Sequence, residues 1–208
     1  MQQRIPSYLI ILALFALLAC GPKVMVPPNV DLTVFNSIAL IDFTSNAEGN
    51  LADYATQRFV EIVTASQPAA RIIEVGSEAE VLMSVGAYRM DLQAVKAIGE
   101  VYDVEAVITG NLDVSDVKPK VRLSTDIAAL GVEAEIEASL TSKLFDTYDG
   151  ATVWTSSSRA HETVAHVNAF ADGGFTFDAD DPKAAYGNLV EDLVHEVTYD
   201  LRVRYERQ

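Results

Sequence analysis

The sequence predicts an α/β (α+β) domain: a mixed sheet with a βαβ-type first half, an antiparallel meander in the second half, and a packed C-terminal helix. Three observations predict it. Between residues 37 and 112, short apolar runs alternate with apolar stripes at helical spacing. From 114 to 166 helix signals stop and period-two alternation takes over. After Asp181 a helical stripe returns near the end of the chain.

Residues 37–43, SIALIDF, form an apolar run rich enough in isoleucine and leucine for a buried strand. A polar loop follows, and Asn50 is placed to cap a helix. Leu51, Tyr54, Ala55, Phe59, Ile62 and Val63 recur at helical spacing on a helix ending near Ser66, with Pro68 enforcing the stop. RIIEV, 71–75, is the second strand. Ser77 can cap a short helix over 78–83, and Asp91 another over 92–102. VEAVITGNL, 104–112, returns as a third strand. Strands that alternate with helices pair in parallel, because the crossover helix returns the chain to the same end of the sheet.

In the second half, Val117, Pro119, Val121 and Leu123 alternate with Lys118, Lys120 and Arg122. Val132, Ala134, Ile136, Ala138 and Leu140 alternate with Glu133, Glu135 and Glu137. Paired as a hairpin, these strands are expected to set Arg122 against Glu133, Lys120 against Glu135 and Lys118 against Glu137, opposite charges on one face. Its tip, 127–130, is IAAL, apolar for a loop. Asp149-Gly150 suits a two-residue type I′ turn that would bring Phe145 opposite Trp154. Asp181 caps and Pro182 starts the last helix, whose stripe is Ala185, Leu189, Leu193, Val197, Leu201 and Tyr205.

The chain carries a formal net charge of −15, one cysteine and three histidines. A surface this acidic disfavours nucleic acid and anionic headgroups, which call for cationic groups. Residues 9–19, LIILALFALLA, form an apolar core behind a segment whose only charge is Arg4. That is the layout of a secretory signal, and it is short of the roughly 20 apolar residues of a membrane span. It ends in Leu17-Leu18-Ala19-Cys20, which resembles the lipobox of bacterial lipoproteins. The resemblance implies cleavage before Cys20, diacylglycerol on its sulfur, acylation of the new amino terminus and, with Gly21 next, delivery to the outer membrane facing the periplasm. An ordinary signal or an uncleaved anchor would account for the run without using Cys20. The expected organisation is a signal peptide over 1–19, the lipidated cysteine and a proline-bearing tether over 20–36, and one periplasmic domain over 37–208. The membrane partner is then reached through the N-terminal lipid.

No catalytic constellation, metal site or cofactor loop can be assembled from the residues, so a non-enzyme without cofactor is expected. His161 and His166, five apart on an expected strand, point to opposite faces and read as solvated surface groups. Gly110 is a lone glycine at a strand end, suited to a bulge or close packing. Asp42 sits where open α/β sheets tend to bind ligands, but a solvated strand-end carboxylate is the better reading. Tyr54 and Tyr102 belong to helix stripes and read as core.

SIALIDF, a loop and amphipathic helix, RIIEV, DVEAVITGNL and SKLFDTYDGATVW together resemble the periplasmic α/β domain of several envelope lipoproteins. These are the CsgG-like curli-secretion channels, the LpoB-like activators of peptidoglycan synthases and the amino-terminal domain of TolB. The resemblance implies two expectations. One is a partner-binding or assembly scaffold, with the apolar face of the 117–140 hairpin buried under the last helix. The other is a subunit of an oligomeric outer-membrane secretion channel, with that face in lipid. The hairpin lacks the aromatic girdles of membrane strands, which favours the scaffold. The envelope protein partner is not encoded in these motifs, and a homo-oligomer fits either expectation.

Overall fold

The computed structural model describes residues 23–120, 133–164, 167–169, 175–177 and 179–207. In chain order the strands are β1 (Lys23–Val26), β2 (Ile38–Leu40), β3 (Thr44–Ser45), β4 (Glu48–Gly49), β5 (Ile72–Glu74), β6 (Ala106–Lys120), β7 (Glu133–Asp146), β8 (Thr152–Val164), β9 (Val167–Ala169), β10 (Phe175–Phe177) and β11 (Arg204–Arg207). The helices are α1 (Leu51–Ser66), α2 (Glu78–Ser84), α3 (Leu92–Tyr102) and α4 (Pro182–Val197). Two compact units result among the described residues, one drawn from 23–28 and 203–207, the other from those between 29 and 202. In the first, β1 pairs antiparallel with β11, so the stretch read as tether contains a strand. In the second, the core already includes Leu32, ahead of Ser37.

The main sheet runs β5-β2-β6-β7-β8. β2 is parallel to β5 and β6, and β6, β7 and β8 form the antiparallel meander. This is the expected α+β class. One face packs Leu40, Ile108, Leu112, Ile136, Leu140 and Leu144 against Phe59 and Val63 of α1 and Leu189, Leu193 and Val197 of α4. On the other face, Ala39, Ile41 and Val107 meet Val81 of α2 and Ile98 of α3. Gly110 lies against the Phe43 ring, where an added Cβ would fall 2.3 Å from Cδ1, so its role is close packing. A smaller sheet joins β4, β10 and β9.

Ends of the helices follow local chemistry. Ser77 and Glu80 form a capping box, Asp91 accepts from the Gln93 and Ala94 N–H groups, and Asp181 accepts from Ala184. Asn50 stands at the expected position but does not cap with its side chain. Its Nδ2 donates instead to the Ala179 carbonyl at 3.0 Å, and its Oδ1 accepts from Tyr186. The last helix ends at Val197, where the Thr198 hydroxyl donates to the Val194 carbonyl at 2.6 Å. Tyr205 therefore lies in β11 and not on a helical stripe.

The hairpin register differs from the charge-pair expectation. Lys118 pairs with Glu135 and Lys120 with Glu133, two residues away from the expected partners. An irregularity between Ser115 and Lys118 adds a residue to β6 there. The register is set closer to the core, where Leu112 lies opposite Leu140 and Ile108 opposite Leu144, and the charged end follows. Arg122 and the 127–130 tip lie outside the described residues. β3 pairs in parallel with β6, and beyond it the Asn46 side chain continues that pairing: it accepts from the Val114 N–H at 2.8 Å and donates to the Val114 carbonyl at 3.0 Å.

The next turn also departs from expectation. Leu144 faces Trp154 and Phe145 faces Thr152, with Val153 as the extra residue. Asp146 and Asp149 each accept a backbone N–H two residues on, from Tyr148 and Ala151. These Asx turns favour a longer loop, with Gly150 at φ +78°, over the two-residue type I′ turn.

Candidate interaction site

The carboxyl ends of the parallel strands gather charge. The Val75 N–H donates to the Leu40 carbonyl and the Asp42 N–H to the Gly76 carbonyl, each at 3.0 Å, which holds the ends of β2 and β5 together. Gly76, at φ +93°, turns the chain from β5 into α2 through a backbone region that favours glycine. Asp53 lies in the first turn of α1, and Glu80 closes the capping box of α2. Burial and then the neighbouring carboxylates of Asp53, Glu74 and Glu80 push the Asp42 carboxyl above its ordinary pKa. Among the described residues, no group of three or more His, Cys, Asp or Glu side chains could hold a metal ion. What the cluster supplies is a negative field at a strand end.

The helix that carries Glu80 also borders a groove of about 700 Å³. Glu78, Ala79, Leu82 and Met83 of α2, Gly86, Ala87 and Tyr88 of the loop after it, and Thr44 line it. The seven-residue α2 turns Val81 and Leu82 inward but leaves Met83 78% exposed, and Tyr88 beyond it is fully exposed. A second groove, of about 760 Å³, is lined by groups of both signs, among them Lys96, Glu100, Glu105 and Asp146.

The other sequence-derived candidates do not converge. His161 lies on the outer face of β8, its Nε2 2.5 Å from Glu135 Oε1. His195, on α4, accepts a hydrogen bond at Nε2 from Arg202 Nη1 at 2.6 Å. Tyr54 and Tyr102 are half-buried. Cys20, the Leu17, Leu18 and Ala19 that precede it, and His166 lie outside the described residues. The sequence reading missed the α2 groove. Its signal was a capped helix too short to bury both Leu82 and Met83, followed by a glycine and a tyrosine.

No family model matches the chain. No curated protein matches it. Solved structures do share features with it. The PelC dodecamer from Paraburkholderia phytofirmans is 14% identical, with a TM-score of 0.47 over 88% of this chain and 99% of that one. Lipoprotein GNA1162 from Neisseria meningitidis is 14% identical, with a TM-score of 0.39 over 78% of this chain and 97% of that one. The LpoB C-terminal domain from Salmonella enterica is 10% identical, with a TM-score of 0.38 over 66% of this chain and 86% of that one. These likenesses are distant, and the α+β assignment stands on the strand pairings above.

Proposed function

We propose that the chain is a lipoprotein anchored through Cys20 in the outer membrane, faces the periplasm, and works as a non-catalytic scaffold or partner-binding factor of the cell envelope. The observation that carries the scaffold reading is the burial of the meander's apolar face. Ile136, Ala138, Leu140 and Val164 are at most 1% exposed and belong to the same core as Leu189, Leu193 and Val197 of α4. A channel subunit would need the apolar face of that hairpin in hydrocarbon. Here Ile136, Ala138 and Leu140 on its β7 strand already lie in the core beneath α4, and the opposite face carries Glu135, Glu137, Thr141, Arg159 and His161. No helix among the described residues is long and apolar enough to cross a membrane, so attachment in this reading comes from the lipid.

The test is Cys20→Ser, followed by labelling with a fatty-acid analogue and fractionation of the two membranes. The parent chain should take up label and follow the outer membrane, and the variant should do neither. Label and membrane flotation retained in the variant would overturn the anchor. Discrete conductance steps from the purified protein in planar bilayers would overturn the scaffold in favour of the channel.

A further inference from the structure

We propose that the groove between α2 and the 86–88 loop receives a segment of a partner protein that pairs an apolar anchor with a lysine or arginine. The anchor would sit on Leu82 and Met83 against Tyr88, and the cation would face Glu78 in the lining, on the helix that also carries Glu80. This deepens the partner-binding reading and rests on it.

The groove itself argues for an apolar anchor. Its walls are Ala79, Leu82, Met83, Ala87 and Tyr88, and neither Met83 nor Tyr88 is taken up by the chain's own core. Methionine adapts to varied partners, and tyrosine offers a broad rigid surface at little conformational cost. Charge selects the rest of the ligand. Glu78 is part of the lining, Glu80 follows it on the same short helix, and Asp42 precedes the lining Thr44 by two residues. The charged neighbours that raise the Asp42 pKa, Asp53, Glu74 and Glu80, are all acids. The nearby cation on the 85–91 loop, Arg89, is occupied by Asp91 at 2.9 Å. A cationic segment would relieve this repulsion, whereas a second copy of a chain with net charge −15 brings mostly more of the same sign. The occupant is therefore a cationic, apolar segment and not the chain itself.

The experiment uses the full lipidated chain in detergent. Its probes are a fluorescein-labelled peptide of alternating leucine and lysine and a leucine-glutamate counterpart, read by anisotropy. The lysine peptide should bind and the glutamate peptide should not. Binding should weaken roughly tenfold in Met83→Ser with Tyr88→Ala, as for loss of an interface anchor. It should weaken similarly in Ala79→Lys, which fills and recharges an exposed wall without removing a side chain from the fold. Unchanged circular dichroism would show that both variants are folded. Equal binding to parent and variants would mean adsorption to the acidic surface and would overturn the groove. Equal binding of the glutamate peptide would overturn the charge assignment. Self-association of the parent that the Tyr88 variant abolishes would name a second copy as the occupant and also overturn it. None of these failures touches the anchored scaffold, which fails separately through the Cys20→Ser fractionation.

Discussion

β2 buries every one of its residues, Ile38, Ala39 and Leu40, whereas β7 buries alternate ones, Ile136, Ala138, Leu140, Ser142 and Leu144. The difference is one of cover. β2 lies in the parallel half, with α1 and α4 over one face of the sheet and α2 and α3 over the other. β7 lies in the meander, covered on one face and open to water on the other. The open face holds polar pairs, such as Thr141 with Ser157 at 2.8 Å, and exposed ion pairs, such as Arg159 with Glu137 at 3.4 Å. Two strands of one sheet therefore tolerate different changes, and the weak pairs on the open face follow the register and do not dictate it.

The sharpest way to break the comparison is to place a carboxylate in each strand. Ala39→Asp and Leu40→Asp point to opposite faces, yet both should unfold the domain, at a cost above about 4 kcal/mol, because each buries an unpaired charge. In the meander, Ile136→Asp should do the same. Thr155→Asp, on the open face and across from Lys143, should shift stability by less than about 0.5 kcal/mol. Urea titrations followed by circular dichroism would measure all four. Equal tolerance at Ala39 and Thr155 would contradict the two-sided cover of β2.

A smaller effect sharpens the electrostatic side of the parallel half. The folded state raises the pKa of Asp42, so it holds that proton more tightly than the unfolded chain does. The ionised carboxylate is then a cost at neutral pH, and the cost disappears as pH falls below the ordinary carboxylate range. Asp42→Asn should raise the urea midpoint at about pH 7 and give no gain at about pH 3. A gain that grows on acidification would reverse the sign of this argument.

The smallest effect belongs to the open face. A double-mutant cycle on Arg159 and Glu137 should return a coupling below about 1 kcal/mol that fades with added salt, since the Arg159 side chain is 75% exposed. A large, salt-insensitive coupling would mean that this face is covered by something in solution.

Much of the architecture was legible because its causes are local. Ser77, Asp91 and Asp181 cap helices by bonds that span two or three residues, so their positions alone announce three helix starts. The period-two run from Glu133 reveals a strand with one wet face without reference to its neighbours. Gly110 could be read as a close-packing position, although its partner Phe43 could not be named.

What the sequence by itself determined is therefore the order and type of the main elements, β2, α1, β5, α2, α3, β6, β7, β8 and α4, together with the faces they present and the acidity of the whole. Only the tertiary structure decided how they meet. It turned Asn50 away from its cap because the Ala179 carbonyl and Tyr186, distant in sequence, offered partners. It moved the Lys118 and Lys120 pairs by two residues because the apolar pairs nearer the core and an irregularity in β6 fix the hairpin. It gathered Asp42, Asp53, Glu74 and Glu80 around one strand end out of acids spread along the chain. Caps and periodicity act within one turn or one strand, whereas register, long-range hydrogen bonds and shared fields depend on which surfaces pack first and how much of each they bury.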